Sequence, residues 1–383
     1  MLGLSLTALL ALAPAGAAQP LKLNDIAAIG THNSYKLAVP ADEMAAMVAA
    51  RGQAVLGVDY GHRPLDEALD LGARQLEIDV VRDPQGGRFA KPLTALGGGI
   101  VPSPAFAKTM AQPGYKVMHM PDVDFRSSCL TFVECLAVVR TWSKAHPDHA
   151  PILILINAKE GAASLPGGAS ALPFDTAAFD ALDAEVRSVF PPAELLTPDQ
   201  VRGAKPTLRE AVLAGGWPSL DQARGKVFFA LDEGPEKIAI YRGGRKSLEG
   251  RVMFVNSDET APDAAYLTLN DPVGQHDRIA AAVRAGFIVR TRADADTWQA
   301  RRNDVSMRTA ALTSGAQYVS TDYMQADSRF AGGYTVRLTG GAVAVCNPVR
   351  AAERCPEGPL EALPGAPGQG YLAPGARPDL TKI

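Results

Sequence analysis

The sequence predicts an α/β chain folded as a (β/α)8 TIM barrel, with a C-terminal hairpin and irregular tail. Eight short, near-continuous apolar runs alternate with segments of helical periodicity, the pattern of buried parallel strands covered by helices. Polar, chemically active residues stand at the ends of several runs, where barrels of this kind carry their sites. No glycine-rich dinucleotide fingerprint follows the first strand, which disfavours the rival doubly wound open sheet.

The strands are expected at "DIAAIG", "ARQLEIDVV", "YKVMHM", "PILILIN", "KVFFALD", "RVMFVNS", "GFIVRTR" and "AQYVSTDY". Between them, "ADEMAAMVAA", "RPLDEALDLG", "LTFVECLAVVRTWSKAH", "DTAAFDALDAEVRSVF", "QHDRIAAAVRAG" and "DTWQARRNDVSMRTAALTSG" repeat apolar residues at helical spacing. Several end at glycine, and "PFDTAAF" and "DADTW" offer aspartate caps. Two connections are long: Arg82 to Gly114, with "PQGG" and "LGGG", and "EGAASLPGGASALP" after the fourth strand. Loops of that length on a barrel's C-terminal face shape active sites. After Tyr334, "YTVRL" and "AVAVC" read as a hairpin turned by "TGG", followed by a Pro/Gly-rich end.

Three segments follow. Residues 1–18 read as a signal peptide, because "LGLSLTALLALAPAG" is apolar, too short to span a bilayer, and followed by small residues. A buried first helix is the alternative. Residues 19–334 form the barrel and 335–383 the tail. Export, to the periplasm or beyond the cell, suits the four cysteines, whose close pairs Cys129–Cys135 and Cys346–Cys355 read as local disulfides. Four buried thiols are the other possibility. The net charge of −3 and the lack of a long basic run argue against nucleic acid as a partner. A monomer is expected.

The first run delivers His32 and Asn33. The second carries Glu77 and Asp79, which share a strand face because they are two apart. His119 follows the third, Asn157 and Lys159 close the fourth, Arg290, Arg292 and Asp294 follow the seventh, and Asp322 and Tyr323 the eighth. Asparagine and carboxylate oxygens suit a hard cation such as Ca2+, whereas zinc would call for more histidine or cysteine. Two histidines beside such a cation point to proton transfer at a phosphodiester. Taken singly, each of these residues also has a structural explanation. His62, His146, His149 and His276 read as surface residues.

"GTHNSYK", "LEIDV" and "VMHMPDVDFRSSC" resemble the phosphatidylinositol-specific phospholipase C superfamily, nearest its secreted, calcium-dependent bacterial branch. The resemblance runs through "RTRADADT" and "SGAQYVSTDY" and so covers nearly all of the chain after the leader. It implies a distorted TIM barrel that cleaves inositol phospholipids through a cyclic phosphate, with transient contact at a membrane surface. It assigns His32 and His119 to acid–base catalysis and Asn33, Glu77 and Asp79 to one Ca2+ ion. Asn157 stands where eukaryotic members carry a glutamate ligand, which removes a negative charge. By position, Lys159 and Arg292 suit a phosphate, Asp124 and Asp322 a histidine or substrate hydroxyls, and Tyr323 an inositol ring. A glycerophosphodiester phosphodiesterase is the alternative enzyme, although its first motif is usually "HRG". A non-catalytic, head-group-binding barrel would not need both histidines.

Overall fold

A computed structural model describes residues 19–94 and 101–364. The leader, the "LGGG" segment and the end of the tail lie outside them. Eight parallel strands form the barrel: β1 (Ile26–Thr31), β2 (Gln75–Asp83), β4 (Ile152–Lys159), β5 (Val227–Leu231), β6 (Met253–Val255), β7 (Tyr266–Thr268), β8 (Ile288–Arg292) and β9 (Tyr318–Thr321). Two further strands, β3 (Gly114–Val117) and β10 (Ala342–Cys346), attach to them antiparallel, and β11 (Glu361–Ala362) pairs antiparallel with β10. The order β6-β5-β4-β2-β1-β9-β8-β7 brings the two ends together. They meet through a bridge between Asn256 and Tyr266, where Asn256 Oδ1 also accepts from the Thr268 amide at 3.0 Å.

The expected strand count is right, but one member differs. "YKVMHM" is not a barrel stave. It supplies β3, which runs back along the upper half of β2, with Val117 opposite Val80 and Gly114 opposite Asp83. The missing stave is β7, only three residues in "DAAYLTLN", too short to stand out as an apolar run. The expected tail hairpin is also corrected. "YTVRL" forms no strand, and "AVAVC" pairs with the lower half of β1 and with β11. This leaves β1 a single register pair with β2, Gly30 to Gln75. A Cβ on Gly30 would sit 2.4 Å from that of Gln75, so glycine is required by the close approach. Below the barrel, Glu361 binds the Arg74 guanidinium and accepts the Ala150 amide at 2.7 Å, which ties down the tail.

Helices cover the sheet where their periodicity places them. Among them are α1 (Ala41–Arg51), α2 (Leu65–Asp70), α3 (Pro104–Met110), α4 (Phe132–Ala145) and α5 (Thr176–Val189). Helix α4 opens with a Thr131–Glu134 capping box and buries Phe132, Cys135, Leu136, Val139 and Trp142. Asp175 caps α5 by accepting from the Ala178 amide at 2.7 Å. The cap expected in "DADTW" is absent: Thr297 holds that position at φ 66°, and its hydroxyl donates to Leu56 instead. The helical stretch after it breaks at Asn303, φ 50°, into two short helices. Both expected disulfides, Cys129–Cys135 and Cys346–Cys355, are formed.

Glu185 on α5 gives the fold a pH dependence. Its Oε1 accepts the Tyr115 amide of β3 at 3.1 Å. Burial, only partly opposed by that bond, pushes its carboxyl up to about 7. The folded state therefore holds this proton more tightly than the unfolded chain, and stability falls as pH rises from about 4.5 through 7. At about 1.4 kcal/mol per pH unit, the loss is at most about 3.5 kcal/mol. Glu185→Gln, which keeps the acceptor, should unfold at a higher denaturant concentration than the parent at pH 8 and at nearly the same concentration at pH 4.5. Equal differences at both pH values would refute this assignment.

Candidate active site

The mouth of the barrel is assembled from the strand ends. After β1 the chain turns at Asn33, whose φ of 45° is tolerated by asparagine. Ser34 then fastens this turn to β2: its amide donates to the Glu77 carbonyl at 2.9 Å and its hydroxyl accepts from the Glu77 amide at 2.8 Å. Asp79 and Asn157 are register partners on the adjacent strands β2 and β4, so both side chains point the same way. Asn157 Nδ2 donates to Glu77 Oε1 at 3.1 Å. His119 reaches the site because β3 descends beside β2. Two residues past the Val117–Val80 pair, the chain is back at the level of the carboxylates.

Each histidine has its own aspartate. His32 Nδ1 is 2.9 Å from Asp322 Oδ1 and 3.1 Å from the Tyr60 hydroxyl. Its Nε2 lies 3.6 Å from Glu77 Oε1 and 3.5 Å from Arg292. Burial, reinforced by Arg292, holds the His32 imidazole well below its usual range. His119 Nδ1 is 2.9 Å from Asp124 Oδ2, on a tight loop closed by paired Met120 and Asp124 backbone bonds. Arg292 donates to Asp322 Oδ2 at 3.2 Å. Burial raises Asp322, and Arg292 opposes the rise. Behind it, Asp294 is pushed up to about 7 by burial and by Asp322.

The oxygen donors are poised for a cation. Asn33 Oδ1 and Asp79 Oδ1 are buried without a hydrogen-bond partner. Such orphaned acceptors are costly unless a cation serves them. Lys159 Nζ stands 3.1 Å from Asp79 Oδ2 as its ion-pair partner. Burial raises Asp79, with Lys159 opposing. Burial also acts to raise Glu77, but Arg290, His32 and Arg292 outweigh it and the carboxyl is lowered. Arg290, itself buried, occupies Glu77 Oε2 at 2.6 Å and leaves Oε1 facing the site. Among the described residues no three His, Cys, Asp or Glu side chains cluster as metal ligands. The donor set is two carboxylates completed by two amides, a composition that suits Ca2+.

The structure therefore gathers His32, Asn33, Glu77, Asp79, His119, Asn157, Lys159, Arg292 and Asp322. Tyr323 is not among them. It is 3% exposed, and its ring packs against Phe330 and Tyr334, so it offers no face to a sugar. His62 is not the surface residue expected: its Nε2 is 2.7 Å from the His32 carbonyl oxygen. His149 is likewise buried, between Ser143 and the Ala150 carbonyl. Arg290, noted at the end of the seventh run, joins the site's framework, as do Tyr60 and Lys36, which were not singled out. Tyr60 and His62 lie in an aperiodic loop that gave no signal, whereas Lys36 closes the "HNSYK" motif itself.

A family model described as phosphoinositide phospholipase C, Ca2+-dependent, matches residues 21–348. No curated protein matches the chain. Among solved structures, a calcium-dependent phosphoinositol-specific phospholipase C from the Gram-negative bacterium Pseudomonas sp., in an apo form with myo-inositol, is 18% identical. The match covers 84% of this chain and 96% of that one, at a TM-score of 0.50. A second crystal form is 19% identical with the same coverage and TM-score. These likenesses support the barrel fold. A Ca2+-dependent phosphatidylinositol-specific phospholipase C from Streptomyces antibioticus is 19% identical, over 79% of this chain and 95% of that one, at a TM-score of 0.49.

Proposed function

Because the chain belongs to the Ca2+-dependent phosphoinositide phospholipase C family, we propose that it cleaves the phosphodiester of an inositol phospholipid by attack of the ring's own hydroxyl. The observation that carries this reading is the pair of histidine–aspartate couples opening on one mouth beside Glu77 and Asp79. An ionised Asp322 accepts from Nδ1–H of His32 and leaves Nε2 as the free base. That nitrogen takes the proton of the hydroxyl next to the phosphoryl group. Asp124 fixes Nδ1–H of His119 in the same way, so a protonated His119 offers Nε2–H to the departing glycerol oxygen. The oxygen–phosphorus bond to the ring hydroxyl forms, the bond to the lipid oxygen breaks, and a cyclic inositol phosphate leaves.

Asn33 Oδ1, Glu77 Oε1, Asp79 and Asn157 would hold a single Ca2+ ion, which when bound offsets charge on the phosphoryl oxygens and eases loss of the hydroxyl proton. Lys159 and Arg292 supply fixed positive charge to the phosphate. Hydrolysis of a phosphodiester panel, with and without chelator, tests the reading. Inositol phospholipid should be consumed only with calcium. Preferred turnover of glycerophosphodiesters, or full activity in excess chelator, would refute it.

Export and membrane contact belong to the same proposal. Two disulfides suit an oxidising compartment. No helix among the described residues is long and apolar enough to cross a membrane. Leu37, Val101 and Val273, respectively 37%, 96% and 63% exposed, all lie in connections that follow β1, β2 and β7 on the C-terminal face. An apolar rim around the mouth would seat it on a bilayer. Leu37→Ser with Val273→Ser should weaken binding to phosphatidylinositol vesicles about tenfold, from the apolar area lost, and leave turnover of a soluble substrate unchanged. Unaltered vesicle binding would remove the rim from the account.

A further inference from the structure

Lys36 is one of the largest fully buried side chains, and no apolar site holds an ammonium without partners. Its Nζ lies 3.1 Å from Asp124 Oδ1, the oxygen opposite the one that holds His119. It donates to the Tyr60 carbonyl at 2.9 Å and sits 4.8 Å from the centre of the Tyr60 ring. The Tyr60 hydroxyl in turn touches His32 Nδ1 at 3.1 Å and accepts from Asn33 Nδ2 at 2.8 Å. Backbone contacts lock the same two loops together: Lys36 bridges Ser127, Leu37 donates to Arg126, and Ser128 donates to Tyr35. The His32 loop and the His119 loop are thus joined through one buried cation.

We propose that Lys36 is a positioning residue for His119, acting through Asp124. A buried carboxylate without a countercharge is unfavourable and is free to rotate or to be replaced by water. With Lys36 on one oxygen, Asp124 presents the other to Nδ1–H of His119, which fixes the tautomer and turns Nε2 toward the mouth. The Tyr60 branch braces His32, but His32 also has Asp322 and Arg292. His119 has no second side-chain anchor comparable to Asp124 among the described hydrogen bonds. Loss of Lys36 should therefore fall on the proton-donating half of the reaction. This inference rests on the proposed assignment of His119 as the acid.

The test is a cycle of Lys36→Met, Asp124→Asn and the double variant, assayed on an inositol phosphodiester with an alkyl leaving group and on its nitrophenyl ester. Lys36→Met should lose about a hundredfold on the alkyl ester, within the range of a general acid, and less than about fivefold on the nitrophenyl ester. The double variant should be no slower than Asp124→Asn alone, because both substitutions break one path. Proton NMR should show the Nδ1–H resonance of His119, identified by its loss in His119→Ala, displaced or gone in Lys36→Met. Equal losses on both esters, multiplying losses in the double variant, or an unmoved resonance would overturn the proposal. If Lys36→Met does not fold, Asp124→Asn and the charge-balanced double variant decide the question by the same comparison. If His119→Ala shows no preference between the esters, the acid assignment fails instead, and the resonance still decides whether Lys36 positions the ring.

Discussion

His119→Ala is expected to slow cleavage of an inositol phospholipid about a thousandfold and cleavage of the corresponding nitrophenyl ester less than about tenfold. General acid catalysis contributes on the order of a hundred- to ten-thousand-fold, but only where the leaving oxygen needs a proton. Nitrophenolate leaves without one. His32→Ala should lose about a thousandfold on both esters, because the attacking hydroxyl is the same in each. The neutral state of His32 follows from its setting: burial and Arg292 both disfavour the imidazolium. Steady-state kinetics on the two esters check the division of labour. Equal losses by both variants on both substrates would end it.

The second large effect concerns the ion. Asp79→Asn should abolish calcium stimulation and weaken calcium binding at least about a hundredfold, since it removes one of only two negative charges in the donor set. The same change leaves Lys159 without its carboxylate partner, 3.1 Å away. Calorimetric titration with Ca2+ separates binding from turnover. Asn157→Asp should act in the opposite direction and tighten binding about tenfold, because Asn157 shares the face of Asp79 and lies beside Glu77. Unchanged affinity would remove Asn157 from the site. Zn2+ should not substitute fully in an all-oxygen set.

Much of the site was legible because strand geometry is simple. The period of two places Glu77 and Asp79 on one face, and parallel register puts Asn157 beside them. His32 and Asn33 stand at the end of an apolar run, where a barrel exposes its chemistry. The position of His119 was correct for a different reason from the one the pattern suggested. It does not end a barrel stave; it comes down an antiparallel ribbon appended to β2. Apolar periodicity cannot distinguish those cases, since β3 is as buried as a stave.

What escaped the sequence depends on long-range packing. Tyr60 and His62 occupy a loop with no period, and only the fold carries them to His32, about thirty residues earlier. Tyr323 shows the converse. It follows a catalytic-looking aspartate at a strand end, yet its ring is taken up by Phe330 and Tyr334. The three-residue β7 was invisible because its pairing is fixed by β8 and by the Asn256 side chain rather than by its own composition.

The central claim is that the substrate's own hydroxyl, not water, attacks phosphorus between His32 and His119. Phosphorus NMR of a single turnover, with enzyme in excess over phosphatidylinositol and calcium present, tests it most directly. The account requires the cyclic inositol phosphate resonance to appear first and any linear inositol phosphate to grow only at its expense. A linear phosphate that appears from the outset, with no cyclic species preceding it, would contradict it.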